Sequence, residues 1–483
     1  MTIPDRSESS SYRWWVLLTV SLGSISVSFD NSILVTVLPR LAAVFHTDAS
    51  VISWVNLIYF ITSQSFMLIL ARIGDVKGRR KVFMAGLGFY TAGLIGCACA
   101  QSVAALIGAR AIQGVGAAAG YSLTMAMAVA VFPPEERGKA IGILAGSSAA
   151  GLVVGPVIGG LLLDLLGWRG VCYARAPIAM AVLVMAWLIV KEQKAEDKAF
   201  RLDVAGALSL ACFITALLLF LSFGGKRGFL APPVLAVGGL GACSFIWFVI
   251  AENRAVQPIL RLSLFKRRLF AASTATGFFN GWGAATMTFL VPFYLVQGLG
   301  FSGSAVGLTM ALVAAPLLVL SPVTGRLSDR FGTTMLCTVG MILGTVGLFL
   351  LSRPITNPSY AAIAVGVALV GTGTAVFLSP NNSAIVGSVP KDMLALASGI
   401  AIATRQVGTS SGVAIAGALY GSYQARHIMQ LAAKGVEIAA ARRLASVSGF
   451  AEAMLIGAVL STLGIATSLI PGNYWGSAPP PQA

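Results

Sequence analysis

Fourteen stretches of this chain, each about twenty residues or more, hold almost nothing but apolar and small side chains, and the charged residues fall in short clusters between them. At about 1.5 Å of rise per residue, a helix of that length spans a hydrocarbon layer about 30 Å thick. No water-soluble core could hide so much apolar surface. Of 483 residues, 57% are hydrophobic and 10% charged, against about 25% charged in an ordinary soluble domain. The expected fold is therefore an all-α polytopic membrane protein. The runs lie near 14–38, 50–73, 82–101, 104–130, 140–163, 172–190, 204–223, 232–251, 271–297, 303–323, 334–351, 359–380, 396–420 and 451–470.

An even number of crossings puts both termini on one side, and Lys and Arg favour the cytoplasm. The N-terminus and the loops sharing its side hold 21 of these residues and the opposite loops hold 10, with Arg110 and Arg405 inside spans. Both termini are thus expected to be cytoplasmic. Four of the outer ten (Arg426, Lys434, Arg442 and Arg443) crowd the expected loop 421–450, against the trend. The formal net charge of +16 is read as topology, not as a nucleic-acid surface, because the basic residues are scattered among loops. The first run is too long for a signal-peptide core and lacks a small-residue cleavage pattern, so it is expected to be retained. The short, proline-rich APPPQA tail is expected to be disordered. Six cysteines (Cys97, Cys99, Cys172, Cys212, Cys243, Cys337) fall in apolar runs without C-x-x-C spacing and read as small core residues.

A repeat organises the runs. ARIGDVKGRR (71–80) and GRLSDRFG (325–332) each follow the second helix of a six-run block and align at an offset of 254 residues. The chain then reads as six plus two plus six: a tail over 1–13, a bundle over 14–190, a linker over 191–203, an inserted pair over 204–251, a linker over 252–270, a second bundle over 271–470 and a tail over 471–483. A duplicated bundle implies a pathway along the interface of its halves. The charge run KEQKAEDK in the first linker reads as a solvated segment.

GLVVGPVIGG (151–160) puts four glycines and a proline into a run that must be helical. In water, each glycine costs about 1 kcal/mol and the proline about 3. In lipid an unpaired amide costs several kcal/mol, so the segment stays helical, and Gly151, Gly155 and Gly159 form one flat stripe that admits a close neighbour. Pro156 removes one backbone bond and permits a bend.

These sequences together resemble the major facilitator superfamily, and within it the 14-spanner drug:proton antiporter branch. The first loop matches through Asp75, Gly78, Arg79 and Arg80, with Ala71 where the family usually has Gly and Val76 where it often has Arg. RAIQGVGAA matches through Arg110, Gln113, Gly114 and Gly116, and Gly151, Gly155, Pro156, Gly159 and Gly160 complete the family's antiporter motif. DNSILVTVLP resembles the span-1 signature, with Val35 replacing a usual Asn. The resemblance covers nearly the whole chain. It implies two pseudo-symmetric six-helix bundles with two inserted linker helices, and a glycine stripe that faces the other half, letting the halves rock while sealing against ion leak. Ordinary small-residue packing is the plainer reading of the stripe. The loop copies suit a cytoplasmic charge latch built on Asp75 and Asp329, with Gly325, Arg330 and Gly332 completing the second copy; the alternative is a solvated turn.

Asp30 is the one acid deep inside a run, and burying it costs about 3 kcal/mol even on a lenient scale, which makes it a functional candidate. Arg110 and Gln113 lie at similar depth. Because spans 1 and 4 line the family's cavity, Asp30 is expected to be the proton-coupling carboxylate and Arg110 its partner, with a static ion pair as the alternative. Arg405 and Gln406 either contact a polar or anionic substrate or bond carbonyls in a helix seam. Trp54, Tyr59, Gln64, Phe279, Asn280, Trp282, Tyr294 and Gln297 are cavity candidates, although aromatic stripes more often pack or anchor at interfaces. Arg175, in CYARAPIA, stands where relatives tend to have Asn, and the sequence offers no account of it. No G-x-x-x-x-G-K-[ST] loop occurs, so ATP drive is not expected, and the isolated His46 and His427 give metal chemistry no support.

The resulting expectation is a proton-coupled secondary active exporter of a small amphipathic compound, working by alternating access in a bacterial inner (plasma) membrane. It is expected to be monomeric and not an enzyme, with no cofactor, metal or nucleic-acid partner. A dedicated metabolite or natural-product exporter is the nearest alternative, and a transport-inactive sensor or scaffold the more distant one.

Overall fold

The computed structural model describes residues 10–133, 136–192, 204–254, 262–353, 360–390 and 393–470. Among these the chain forms thirteen α-helices and no strand. They are α1 (Ser10–Val44), α2 (Ala49–Lys77), α3 (Arg79–Cys99), α4 (Val103–Val131), α5 (Arg137–Ile189), α6 (Val204–Arg227), α7 (Pro232–Arg254), α8 (Arg268–Phe293), α9 (Gly303–Phe331), α10 (Thr333–Leu351), α11 (Tyr360–Gly387), α12 (Leu394–Ala433) and α13 (Ile438–Ser468). A π turn, Tyr294–Gly298, extends α8. The tail 471–483, residues 193–203 of the first linker and residues 255–261 of the second lie outside the described residues.

Thirteen helices carry fourteen runs because the fifth and sixth share α5. Its 53 residues are broken at Gly167, the one residue inside it with non-helical angles (φ 68°, ψ 177°). That left-handed value suits glycine, which has no Cβ to clash. Among the described residues, ten helical stretches are long and apolar enough to cross a membrane, fewer than the fourteen crossings expected. Outside that set are α2, α8 and α12. These carry buried polar side chains, among them Asn56 and Ser63, Thr276 and Asn280, and Ser410 and Ser411.

The expected loop 421–450 is largely helical. α12 continues to Ala433 and α13 begins at Ile438, leaving a turn with Gly435 at φ 78°. Polar contacts hold these extensions where a hydropathy reading ends the helix. Tyr420 Oη lies 2.6 Å from Ser446 Oγ and donates to Gln297 Oε1 at 3.2 Å, and Gln424 Nε2 donates to the same oxygen at 3.2 Å. His427, isolated in sequence, sits with Nε2 2.8 Å from Glu452 Oε1.

The helices gather into two compact units: Met1–Ala216 with Gly241–Phe248 and Ser302–Ala311, and Leu217–Leu240 with Val249–Phe301 and Leu312–Ala483. The helix pair expected as a separate insertion is thus shared between them. In the first unit Leu165, Trp187, Leu188 and Trp247 are exposed, whereas Asp30, Arg110, Gln113 and Arg175 are buried, the arrangement a hydrocarbon solvent selects.

The internal repeat is visible in the backbone. Gly78, between α2 and α3, has φ 104° and donates its N–H to Gly74 at 3.0 Å; Gly332, between α9 and α10, has φ 81° and donates to Ser328 at 3.0 Å. Gly86 packs on Ala119 across α3 and α4, and their counterparts 254 residues later, Gly340 and Gly373, pack on each other across α10 and α11.

Candidate functional site

Asp30 projects from the middle of α1 into the first unit and is completely buried. Arg110, from α4, donates through Nη1 to Asp30 Oδ2 at 2.7 Å. Arg175, from the second limb of α5, donates through its own Nη1 to Asp30 Oδ1. One carboxylate therefore bridges two guanidinium groups, and neither arginine is more than 5% exposed. Such charges are tolerated away from water only when paired and hydrogen-bonded.

Further polar groups hold each arginine. Arg110 Nε donates to the Val55 carbonyl of α2 at 3.2 Å, and Nη1 donates also to Gln113 Oε1 at 2.7 Å. Tyr59 lies with its ring under the Arg110 guanidinium, 4.2 Å from centroid to Cζ, a cation–π geometry. Arg175 Nε donates to the Val171 carbonyl one turn earlier at 3.1 Å. On α3, Tyr90 Oη donates to the Ser26 carbonyl of α1 at 3.0 Å. Helices α1 to α5 thus all contribute to one desolvated cluster.

The sequence placed Asp30, Arg110 and Gln113 together, and they are together. Tyr59, expected as a cavity residue, belongs to the same cluster. Sequence reasoning missed Arg175, which a loop-by-loop charge count assigns to the outer side. The available signal is simple: an arginine inside an apolar run is expensive and needs a partner, and the deep acid has room for two.

The glycine-rich motif 151–160 divides between two neighbours. A methyl group on Gly151 would meet the Ile25 carbonyl of α1 at 2.8 Å, and one on Gly155 the Phe29 carbonyl at 3.1 Å; one on Gly159 would run into Ile33. The stripe therefore seats α5 on α1 within the first unit. Helix periodicity locates a face and not what covers it. Gly160 and Pro156 lie on the adjoining face, against Gly303 and Gly307 at the start of α9. There Asp164 accepts the α9 amides of Gly303 at 2.9 Å and Ser304 at 2.7 Å.

At the first loop copy, Arg80 Nη2 donates to the Trp187 carbonyl at 2.7 Å, and Arg79 is half-buried. In the second copy, Gly325 abuts Ser379 and Arg330 is exposed. The side chains of Asp75 and Asp329 lie outside the described residues.

In the second unit, Asn280 lines a narrow cavity with Gly283, Gly340, Gly344, Thr374 and Ser461. Trp282 is buried, and its neighbour Gly281 packs on the Arg405 backbone of α12. Tyr294 stacks on Phe450, ring centroids 4.3 Å apart, and Gln297 is engaged by Tyr420 and Gln424. The last two therefore serve helix packing. Gln64, in α2, and Arg405 and Gln406 are half-buried. Among the described residues, no three His, Cys, Asp or Glu side chains are grouped to hold a metal ion.

A family model described as Major Facilitator Superfamily matches residues 20–412 and 273–464. The chain belongs to the major facilitator superfamily. Among curated major facilitator relatives it is 30% identical over 414 residues to the multidrug resistance protein Stp of Mycobacterium tuberculosis, a match covering 84% of this chain and 76% of that protein. It is 28% identical over 417 residues to the tetracenomycin C resistance and export protein of Streptomyces glaucescens, covering 85% and 76%. Its fold matches the crystal structure of a bacterial homolog of the human lysosomal transporter Spinster in an inward-facing, occupied conformation. The TM-score is 0.73 at 16% identity, over 95% of this chain and 97% of that one. This major facilitator chain is thus an integral membrane transporter for a small molecule, with drug-export relatives.

Proposed function

We propose that the protein is a proton-coupled exporter in which Asp30 exchanges a proton for outward movement of a small amphipathic compound. The observation that carries this reading is the complete burial of Asp30 between Arg110 and Arg175. A carboxylate so placed cannot gain or lose a proton without large electrostatic consequences for two helices, α4 and α5, at once. Protonation removes the charge that holds both guanidinium groups to α1. The arginines then repel one another, and the conformation that separates them is favoured. Return of the cluster to its paired state expels the proton on the other side. A membrane potential of 100 mV contributes about 2.3 kcal/mol for each charge carried across, which sustains an appreciable substrate gradient.

On this reading the protein is not an enzyme. Both termini are cytoplasmic, the chain crosses a bacterial inner membrane fourteen times, and it works as a monomer. The loop copies at Asp75 and Asp329 act as the cytoplasmic gate. Names of relatives favour drugs or natural products as cargo, the tetracenomycin exporter supporting a dedicated natural-product exporter as the second reading.

The test is transport in proteoliposomes with an imposed pH gradient. Wild-type protein is expected to release protons in step with substrate, and Asp30→Asn to abolish gradient-driven accumulation while substrate still equilibrates. Gradient-driven transport by Asp30→Asn at the wild-type rate refutes the assignment. Absence of proton-linked movement for any compound in a broad panel favours a sensor or scaffold.

A further inference from the structure

The buried cluster does not balance its charge. Asp30 contributes one negative charge against the two positive charges of Arg110 and Arg175, and all three side chains are sealed from water. Among the described residues, no second acid forms an ion pair with either arginine. A net charge of +1 in a low-dielectric interior is unfavourable unless something compensates it.

Unused hydrogen-bonding capacity sits at the same place. Arg110 Nη2, Gln113 Nε2 and Tyr59 Oη are each buried without a hydrogen-bond partner among the described residues. They are neighbours: Gln113 offers its oxygen to Arg110 Nη1, and the Tyr59 ring lies against the same guanidinium. The orientation of the Gln113 amide is not arbitrary. A guanidinium only donates, so the carboxamide oxygen must face Arg110, and the NH2 group must point elsewhere as a donor. Two obligate donors and a hydroxyl free to donate thus surround an uncompensated positive charge. Buried donors in that state are costly until an acceptor arrives. Beside Arg110 and Arg175 runs a narrow cavity, walled also by Leu34, Val37, Leu41 and Trp168.

We propose that Arg110, Gln113, Tyr59 and Arg175 form a binding site for a monoanionic group, either a free halide or the carboxylate head of an amphipathic ligand whose apolar part lies along the Leu34, Val37 and Leu41 wall. The site needs only the charge count and the free donors, and it stands whether or not Asp30 is the coupling carboxylate. Only the arm in which the carboxylate belongs to transported cargo rests on the export reading. The same charge count gives the site a function in that cycle. Protonation of Asp30 takes the cluster from +1 to +2, so anion affinity rises when the proton is bound.

The experiment is thermal unfolding of the purified full-length protein in neutral detergent with gluconate as background anion, titrated with chloride or with hexanoate. A ligand that binds only the folded state raises the midpoint in a saturable way. Wild-type protein is expected to respond. Asp30→Asn leaves two unpaired guanidinium groups and is expected to bind at least about tenfold more tightly. Arg175→Gln leaves a neutral Asp30–Arg110 pair and is expected to lose the response, and Gln113→Leu, which removes one donor, to weaken it severalfold. Response to chloride alone assigns the site to a free ion, and response to hexanoate alone to a ligand head group; response to both with mutual competition supports the shared chemistry. No saturable response in wild type and Asp30→Asn, or an equal response in Arg175→Gln, overturns the proposal. Should Asp30→Asn fail to fold, wild type against Arg175→Gln and Gln113→Leu still decides. No gradient is present, so loss of proton coupling in liposomes and loss of anion binding in detergent are separately visible.

Discussion

Replacing glycines along α5 by alanine should separate backbone contact from helix propensity, because three of them sit in three different surroundings. At Gly146 an added Cβ meets nothing within 4 Å, and the substitution should stabilise by up to about 1 kcal/mol, the ordinary helical preference for alanine. At Gly155 the Cβ would strike Ser32 Oγ and lie 3.0 Å from Ser32 Cβ and 3.1 Å from the Phe29 carbonyl. The hydroxyl can rotate, at the loss of bonds to the Phe29 carbonyl at 3.1 Å and the Gly151 carbonyl at 3.2 Å. The Cβ contact cannot. Carbon atoms pack at about 3.5–4.0 Å, so α1 and α5 must part by roughly 0.5 Å. Overpacking of this kind costs about 1–3 kcal/mol, and the gain in propensity offsets part of it, leaving Gly155→Ala destabilised by about 1 kcal/mol. At Gly160 the obstructing atoms all belong to the backbone of Gly303 and Ser304. No rotamer change relieves them, and the loss should be larger, about 2 kcal/mol. Thermal unfolding of the four proteins in one detergent should therefore rank Gly146→Ala above wild type, then Gly155→Ala, then Gly160→Ala. A midpoint for Gly155→Ala or Gly160→Ala at or above that of Gly146→Ala would refute the claim that these glycines are required by close helix approach.

Two further substitutions test the joints of the fold. Gly167 has room for a side chain, with nothing within 4 Å of an added Cβ, but its φ of 68° is strained for any other residue; Gly167→Ala should lose about 1 kcal/mol by conformation alone, and an unchanged unfolding midpoint would sink that account. Asp164→Ala leaves two amides at the start of α9 without their acceptor and should cost about 1 kcal/mol. Hydrogen exchange of Gly303 and Ser304 should quicken in that variant while the amides of α3 stay protected, and equal rates in both proteins would show that the carboxylate does not hold the helix end.

Much of this molecule was legible in one dimension because lipid imposes a one-dimensional rule. A segment that crosses hydrocarbon must satisfy its own backbone and present apolar side chains, so crossing helices show up as runs without any knowledge of their neighbours. Each run falls on a helix. Where the rule loosens, the reading slipped. Helix α12 leaves the apolar regime near residue 420 and α13 enters it only near residue 451; their polar stretches are held by side chains 25 or more residues apart such as Tyr420 with Ser446 and His427 with Glu452, and no local signal announces a partner that distant. The fifth and sixth runs are the two limbs of α5, which meet at the kink of Gly167, whereas hydropathy records only a gap.

The sequence by itself determined the class of the protein, its helices, its repeat and the presence of a carboxylate too costly to be idle, since composition, period and the price of burying a charge are properties of single segments. Only the tertiary structure decided that Asp30 is shared by Arg110 and Arg175, that Tyr59 belongs with them, and that the glycine stripe seats α5 on α1. Those facts concern which faces of separate helices meet, and a pairing between residues 30 and 175 is set by the packing of five helices that no stretch of chain contains.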